Sequence, residues 1–211
     1  MEITLTDRAL LFDLDVTLVR TGDIVVESMT AWCRLHRLDL QLVLSHSSGM
    51  RIEDTVAKVA PHLDADAECK RIEEIESGCL EKLEPVFGAV ELVRKLDPNL
   101  WGIVTSSSLA LAHRKIDAAG ISAPKTLISS ESVTNGKPHP ECYMLAAKAL
   151  RMKPEHCVVF EDADVGIEAG LSAGCSVIGV GEGFSPNKDI LAAVPDFRCV
   201  YIEGRILSIR C

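Results

Sequence analysis

The chain has few aromatic residues, 4% in all, with only two tryptophans and two tyrosines. So few rings give no obvious platform for stacking a sugar or a nucleic-acid base, which favours a small ligand. It also lacks any basic run. Lys and Arg total 22 against 31 Asp and Glu, for a formal net charge of -9. That balance excludes nucleic acid and anionic membrane surfaces as expected partners. No apolar run approaches the roughly 18 residues of a membrane helix. The start, Met1-Glu2-Ile3-Thr4, has no basic stretch followed by an apolar one, so no secretory leader is expected. The eight cysteines, at 33, 69, 79, 142, 157, 175, 199 and 211, contain no Cys-x-x-Cys pair, which excludes the usual zinc and redox spacings. Reduced thiols packed as small hydrophobes are expected, and with them a cytoplasmic location. The six histidines are scattered and form no His-Glu-x-x-His pattern.

What is present suits a globular fold. With 211 residues, 47% hydrophobic and 25% charged, the chain can form one large domain or one domain with a modest insert. Four short apolar runs read as strands: Ala9 to Phe12, Trp101 to Val104, Cys157 to Phe160 and Cys175 to Val180. Thr126 to Ile128 is a weaker fifth. The runs are too short for helices, and their lack of alternation fits strands covered on both faces. Helix patterns lie between them, at Leu109 to Ala119, Pro140 to Leu150 and Val165 to Ala173, the last stopped by Gly174. Alternating strands and helices predict an α/β fold, a Rossmann-like parallel sheet flanked by helices. One gap breaks the rhythm. Between Phe12 and Trp101 the chain reads as helices at Ile24 to Leu38, Ile52 to Ala60 and Ala67 to Leu83. This predicts an inserted α-helical unit at 21–83, with a core made of 1–20 and 84–211. The acidic Glu73, Glu74 and Glu76 read as a solvated helix face.

Open parallel sheets carry their sites at the carboxyl ends of the strands. Asp13, Asp15 and Thr17 follow the first run, and Thr105, Ser106, Ser107 and Ser108 the second. Asn135-Gly136-Lys137 follows the weak strand, and Glu161, Asp162 and Asp164 lie at or just beyond the end of the third run. Each alone has an ordinary reading, as a strand-end turn, a solvated lysine or a helix cap. Together they put four carboxylates, Asp13, Asp15, Glu161 and Asp162, at one sheet edge, where like charges raise one another's pKa. A hard divalent cation with oxygen ligands, most simply Mg²⁺, resolves that conflict. Lys137 and the hydroxyls of Thr105 and Ser106 suit phosphate oxygens. One hydroxyl of the Ser106–Ser108 run is expected to cap the following helix and one to face substrate. The combination is that of a phosphoryl-transfer site.

These residues resemble the four motifs of the haloacid dehalogenase-like (HAD) phosphatase superfamily. Asp13-Leu14-Asp15-Val16-Thr17-Leu18 is similar to its first motif, Thr105 to its second, Lys137 to its third and Glu161-Asp162 to its fourth. The run from Phe160 to Gly170 resembles the branch with a helical cap inserted after the first motif, where the helical insert lies. The resemblance spans residues 9 to about 180. It implies Asp13 as a nucleophile forming an aspartyl-phosphate and Asp15 as acid and base. It implies Thr105, Ser106 and Lys137 around the phosphoryl group. Mg²⁺ would be held by Asp13, the carbonyl of Asp15, Glu161 and Asp162. Two aspartates spaced by one residue favour a phosphatase over a dehalogenase, because an ester oxygen needs a proton to leave and a halide does not. Val16 stands where most capped members have Gly, and is read as a tuned turn.

Around Gly49-Met50-Arg51-Ile52 the insert resembles the sugar and polyol phosphatases, whose loop often reads His-Gly-x-Arg. Gly49 and Arg51 match, and Ser48 stands where the His would be. Arg51 is thereby a candidate substrate contact. The expected function is Mg²⁺-dependent hydrolysis of small sugar or polyol phosphates by a monomer, with a small phosphate ester as its partner. Two alternatives share the motifs: a sugar phosphomutase of the β-phosphoglucomutase type, and a non-catalytic binding protein on the same fold.

Overall fold

The computed structural model describes residues 2–182, 184 and 189–210. Six parallel strands form the main sheet: β2 (Ala9–Phe12), β3 (Trp101–Val104), β4 (Thr126–Ile128), β5 (Cys157–Glu161), β6 (Ser176–Val180) and β7 (Ala192–Val194). Their spatial order is β4-β3-β2-β5-β6-β7. The continuous apolar runs arise because both faces of this sheet are covered. Side chains alternate between the faces. Leu10, Phe12, Val158 and Phe160 enter one core, while Ala9, Leu11, Cys157 and Val159 enter the other. In the first core Phe12 stacks on Phe160 at 4.8 Å between ring centres, and Phe197 and Trp101 meet Phe12 edge-on.

Helices cover the faces. They are α5 (Ala89–Val93), α6 (Leu109–Ala118), α7 (Glu141–Ala149) and α8 (Asp164–Ser172). Of the expected helices, α6, α7 and α8 fall within a residue or so of their predicted spans. Between β2 and α5 lie four more: α1 (Gly22–His36), α2 (Leu40–Ser47), α3 (Ile52–Val59) and α4 (Ala65–Ser77). They bury a core of their own around Met29, Trp32, Val43, Val56 and Ile72. Helix α2 escapes the sequence pattern although Asp39 caps it, its carboxylate accepting from the Leu42 N–H at 2.9 Å. Helix α4 is shorter than expected, because the chain turns after Ser77 into a short 3₁₀ segment at Leu80–Lys82.

A second sheet was not expected. It is antiparallel, in the order β1-β9-β8, from β1 (Glu2–Thr6), β8 (Val200–Glu203) and β9 (Ile206–Arg210). Glu203 pairs with Ile206 across a two-residue turn in which Gly204 has φ +61°. That Gly turn between β-branched runs is the local hairpin signal. Cys33, Cys69, Cys79, Cys142, Cys157 and Cys175 are free, as expected. Cys199 is disulfide-bonded, which corrects the expectation of reduced thiols throughout. It belongs to no Cys-x-x-Cys pair, so spacing carried no signal for it.

The four-helix layer holds one polar knot. Buried Glu68 accepts from Trp32 Nε1 at 2.8 Å, meets His36 Nε2 at 2.9 Å and pairs with Arg71 at 3.2 Å. Burial opposes its ionisation, but the bonds from Trp32 and His36 and the nearby charges outweigh this and hold its carboxyl below the usual range. A depressed carboxylate stabilises the fold above the unfolded Glu pKa, about 4.3, and loses that contribution as pH falls through the lower folded value. Urea unfolding followed between pH 6 and pH 3 should therefore show an acid-side loss of stability that is reduced in Glu68→Gln.

Candidate active site

The order of strands places the site. Strand β2 lies between β3 and β5: the chain leaves β2 for β3 and β4 on one side and crosses back to β5 on the other, so the strand order reverses at the carboxyl end of β2. The Asp13 N–H donates to the Phe160 carbonyl at 3.0 Å, carrying the β2–β5 pairing one residue beyond the strand. Asp13 and Glu161 are thereby held side by side, both buried. Lys137 Nζ sits between them, 2.6 Å from Asp13 Oδ1 and 2.6 Å from Glu161 Oε1, and also donates to the Val104 carbonyl at 3.3 Å. Oxygen atoms of Asp13, Glu161 and Asp162 all lie within 4.8 Å of one another. Thr17 ties the two acidic segments, its hydroxyl donating to Asp162 Oδ1 at 3.0 Å.

Glu161 is the most completely held of the carboxylates. Its Oε1 accepts from Lys137 and from the Tyr143 hydroxyl at 2.7 Å. Its Oε2 accepts from the N–H groups of Asp162 and Ala163 at the start of α8. Tyr143 carries Lys137 over its ring at 5.4 Å as well. Nothing in the sequence marked Tyr143 beyond its place on a core helix. Gly166 makes room for this carboxylate, because a Cβ there would overlap Glu161 Oε1.

Electrostatically the pocket has too few positive charges. Burial pushes the Asp13 carboxyl well up, opposed by Lys137 and reinforced by Glu161 and Asp162. Asp162 is pushed up to about 7 by burial and by Glu161. Lys137 is held protonated; its two carboxylates overcome the cost of its burial. One ammonium facing three carboxylates leaves room for a further cation, and all the donors are oxygen, as a hard divalent ion requires.

The remaining expected residues separate. Asp15 stands apart from the three-carboxylate cluster. Its Oδ1 accepts from Lys115 Nζ at 2.6 Å and its Oδ2 from the Ser107 hydroxyl at 2.9 Å. Burial opposes its ionisation, but Lys115 and bonds from Lys115, Thr21 and Ser107 keep its carboxyl below the usual range. Thr105 is buried, its Oγ1 accepting from the Ser107 N–H at 3.1 Å. The Ser106 hydroxyl donates to the Gly49 carbonyl in the helical layer at 2.7 Å. Ser108 caps α6, accepting from the Leu111 N–H at 3.3 Å. Arg51 grips Asp54 with two nitrogens, at 2.7 and 2.9 Å, and reaches the Val133 carbonyl at 3.3 Å. With Asp54, Asn135 and Gly136 it lines an open groove of 530 Å³ beside Lys137. Glu76 overturns its surface reading. It is buried and pairs with Lys115 Nζ at 2.7 Å. The signal was in the helix pattern: Lys115 shares the buried stripe of α6 with Leu111, Ala112 and Ile116, and Glu76 that of α4 with Cys69 and Ile72.

Comparison with known proteins bears on this arrangement. The family model described as haloacid dehalogenase-like hydrolase matches residues 10–180. The chain belongs to this family. It is 38% identical over 178 residues to hexitol phosphatase A of Escherichia coli (strain K12), covering 82% of each chain. It is 32% identical over 197 residues to glycerol-1-phosphate phosphohydrolase 2 of Saccharomyces cerevisiae, covering 86% of this chain and 78% of the relative. Among solved structures it superposes on CbbY from Rhodobacter sphaeroides in complex with phosphate, with a TM-score of 0.77 at 20% identity over 92% of this chain and 95% of that one. A HAD hydrolase from Entamoeba histolytica matches with a TM-score of 0.79 at 23% identity, over 92% and 96%. These structural likenesses concern the fold. As a member of this family with phosphatases for relatives, the protein is an enzyme, a phosphoric monoester hydrolase.

Two substitutions test the geometry of the HAD site. Gly166→Ala would ordinarily gain up to about 1 kcal/mol of helix propensity. Here the clash with Glu161 outweighs it, so the variant should lose about 1–3 kcal/mol in urea unfolding. Val16 holds φ +63°, a left-handed conformation that costs a β-branched residue about 1–2 kcal/mol. Part of that returns as unfolded-state entropy when Gly is introduced. Val16→Gly should therefore raise stability by up to about 1 kcal/mol, seen as a higher urea midpoint with an unchanged slope.

Proposed function

We propose that this enzyme is a Mg²⁺-dependent phosphatase of small sugar or polyol phosphates, working through an aspartyl-phosphate on Asp13. The observation that carries the reading is the buried Asp13–Lys137–Glu161 bridge at the carboxyl end of the central strands, with Asp162 beside it. Relatives named for hexitol and glycerol-1-phosphate hydrolysis support the substrate class. Asp13, Glu161, Asp162 and the backbone carbonyl of Asp15 are the groups that would hold Mg²⁺. When bound, the ion supplies positive charge against the phosphoryl oxygens and the crowded carboxylates.

The chain's own residues divide the work. Lys137, with Thr105 and Ser106, orients the phosphoryl group. An Asp13 carboxylate oxygen attacks phosphorus, the bond from phosphorus to the ester oxygen breaks, and Asp15, carrying the proton it took from water in the preceding turnover, gives it to the departing alkoxide. A water then attacks the aspartyl-phosphate and the Asp15 carboxylate takes its proton. The bond from Asp13 to phosphorus breaks, so phosphate leaves and Asp13 is restored. In this reading α1–α4 form a cap over the site, and Arg51 in the loop before α3 acts in recognising the alcohol part of the substrate once it turns from Asp54.

A panel of phosphate esters, assayed with and without EDTA, tests the proposal. Hydrolysis of glycerol and hexitol phosphates should exceed that of nucleotides, vanish with EDTA and return with added Mg²⁺. Asp13→Asn should lose roughly four orders of magnitude or more in kcat. A fully active Asn variant, or release of an isomerised sugar phosphate rather than free phosphate, would sink the reading.

A further inference from the structure

Lys115 belongs to none of the four motifs, yet it is one of the most deeply buried side chains in the protein, with 1% of its side chain exposed. Its ammonium donates to two oxygens and forms an ion pair with a third. Nζ lies 2.6 Å from Asp15 Oδ1, 3.0 Å from Ser107 Oγ and 2.7 Å from Glu76 Oε1. The partners come from the loop after β2, the loop before α6, and α4 in the helical layer. Ser107 closes the arrangement by donating to the other oxygen of Asp15. Both oxygens of the Asp15 carboxyl are thus fixed, and with them the plane of the group.

Stability alone does not account for this lysine. A buried ion pair is seldom better for stability than apolar packing of the same volume, because desolvation offsets the attraction. The neighbours of Lys115 on α6, Leu111, Ala112 and Ile116, and those of Glu76 on α4, Cys69 and Ile72, are apolar and buried, so apolar residues at 115 and 76 together would suit both stripes. What a lysine adds is a point charge that directs a carboxylate. We propose that Lys115 is a positioning residue for the reaction: it aims Asp15 at the ester oxygen, and Glu76 aligns Lys115 from the helical layer. This rests on the phosphatase reading above. It makes proton delivery to the leaving group depend on the docking of α4 against α6, so the acid is in register only while the helical layer is seated. Lys115 touches no reacting atom and acts through Asp15.

The leaving group separates this from a purely structural tie. The ratio kcat/KM reports the steps up to departure of the alcohol. Glycerol phosphate needs a proton for that departure, whereas p-nitrophenyl phosphate releases an anion stable at neutral pH. The charge-balanced variant Lys115→Met with Glu76→Gln should lose at least tenfold more kcat/KM on glycerol phosphate than on p-nitrophenyl phosphate. Lys115→Arg keeps the buried charge but not its placement, and should shift the same ratio in the same direction, so the outcome does not depend on the folding of the double variant. Repeated in an Asp15→Asn background, the change in ratio should disappear, because the group being aimed is gone. Equal losses on the two esters, a gain on glycerol phosphate, or a ratio change that persists without Asp15 would overturn the assignment of Lys115. Inactivity of the unsubstituted enzyme on both esters would instead overturn the phosphatase reading, and the proposal with it.

Discussion

The Lys137 ammonium, sealed between Asp13 and Glu161, is the interaction on which the rest of the site depends. Its two carboxylates stand at the ends of adjacent parallel strands, where neither can retreat into solvent. Without the lysine, like charges a few ångströms apart would have to take up protons or force the strand ends apart. With it, the cluster still sets three carboxylates against one ammonium. A pocket with that residual imbalance attracts a cation, and with a cation in place it becomes a receptor for a dianionic group. Glu161 contributes chiefly by restraint. Four donors fix it, so Lys137 is fixed in turn, and Asp13 is the partner of Lys137 with fewer bonds of its own.

Much of this was legible in the sequence, for a physical reason. A strand covered on both faces must be apolar throughout, so the polar residue that ends it stands out. Asp13 after Ala9–Phe12, Thr105 after Trp101–Val104, and Glu161-Asp162 at the end of the Cys157 run were therefore visible as strand-end groups. Lys137 was visible only by its order among them, since Asn-Gly-Lys-Pro by itself describes a turn. The small sheet of β1, β8 and β9 was legible only in part. The Gly204 turn marks the β8–β9 hairpin locally, but β1 and β9 lie far apart in the sequence, so no local pattern announces the pairing of Glu2 with Arg210. Position 16 was legible as an anomaly, and the left-handed backbone found there is the conformation a glycine would adopt freely.

Lys115 and Glu76 were missed for the opposite reason. Charged residues on a helix are assigned to solvent by default, and counting acids in Glu73, Glu74 and Glu76 strengthens that default. Periodicity carries the better information. A charge in register with Leu111, Ala112 and Ile116 cannot reach water without breaking the stripe, so it must meet an opposite charge from another element. Glu76, in register with Cys69 and Ile72, has the same requirement. Two such misfits of opposite sign, one on each side of an interface, are a pair that single-helix reading cannot assemble.

The short segment after β3 shows how a few adjacent hydroxyls can serve different ends. Thr105 turns back on its own loop, Ser106 reaches the Gly49 carbonyl, Ser107 braces Asp15 and Ser108 caps α6 while its N–H meets Glu73 at 3.3 Å. Three of the four residues thus contact either the helical layer or the carboxyl that stands beside it. Each of these bonds is modest alone, about 1 kcal/mol net for the neutral ones and up to about 3 for those to carboxylates. Their value is geometric. They place the seam between the helical layer and the parallel sheet within a few residues of Asp13, Asp15 and Lys137. A movement that parts α4 from α6 must then disturb Ser108, Lys115 and Asp15 together, because one loop and one lysine are shared by both sides of the seam.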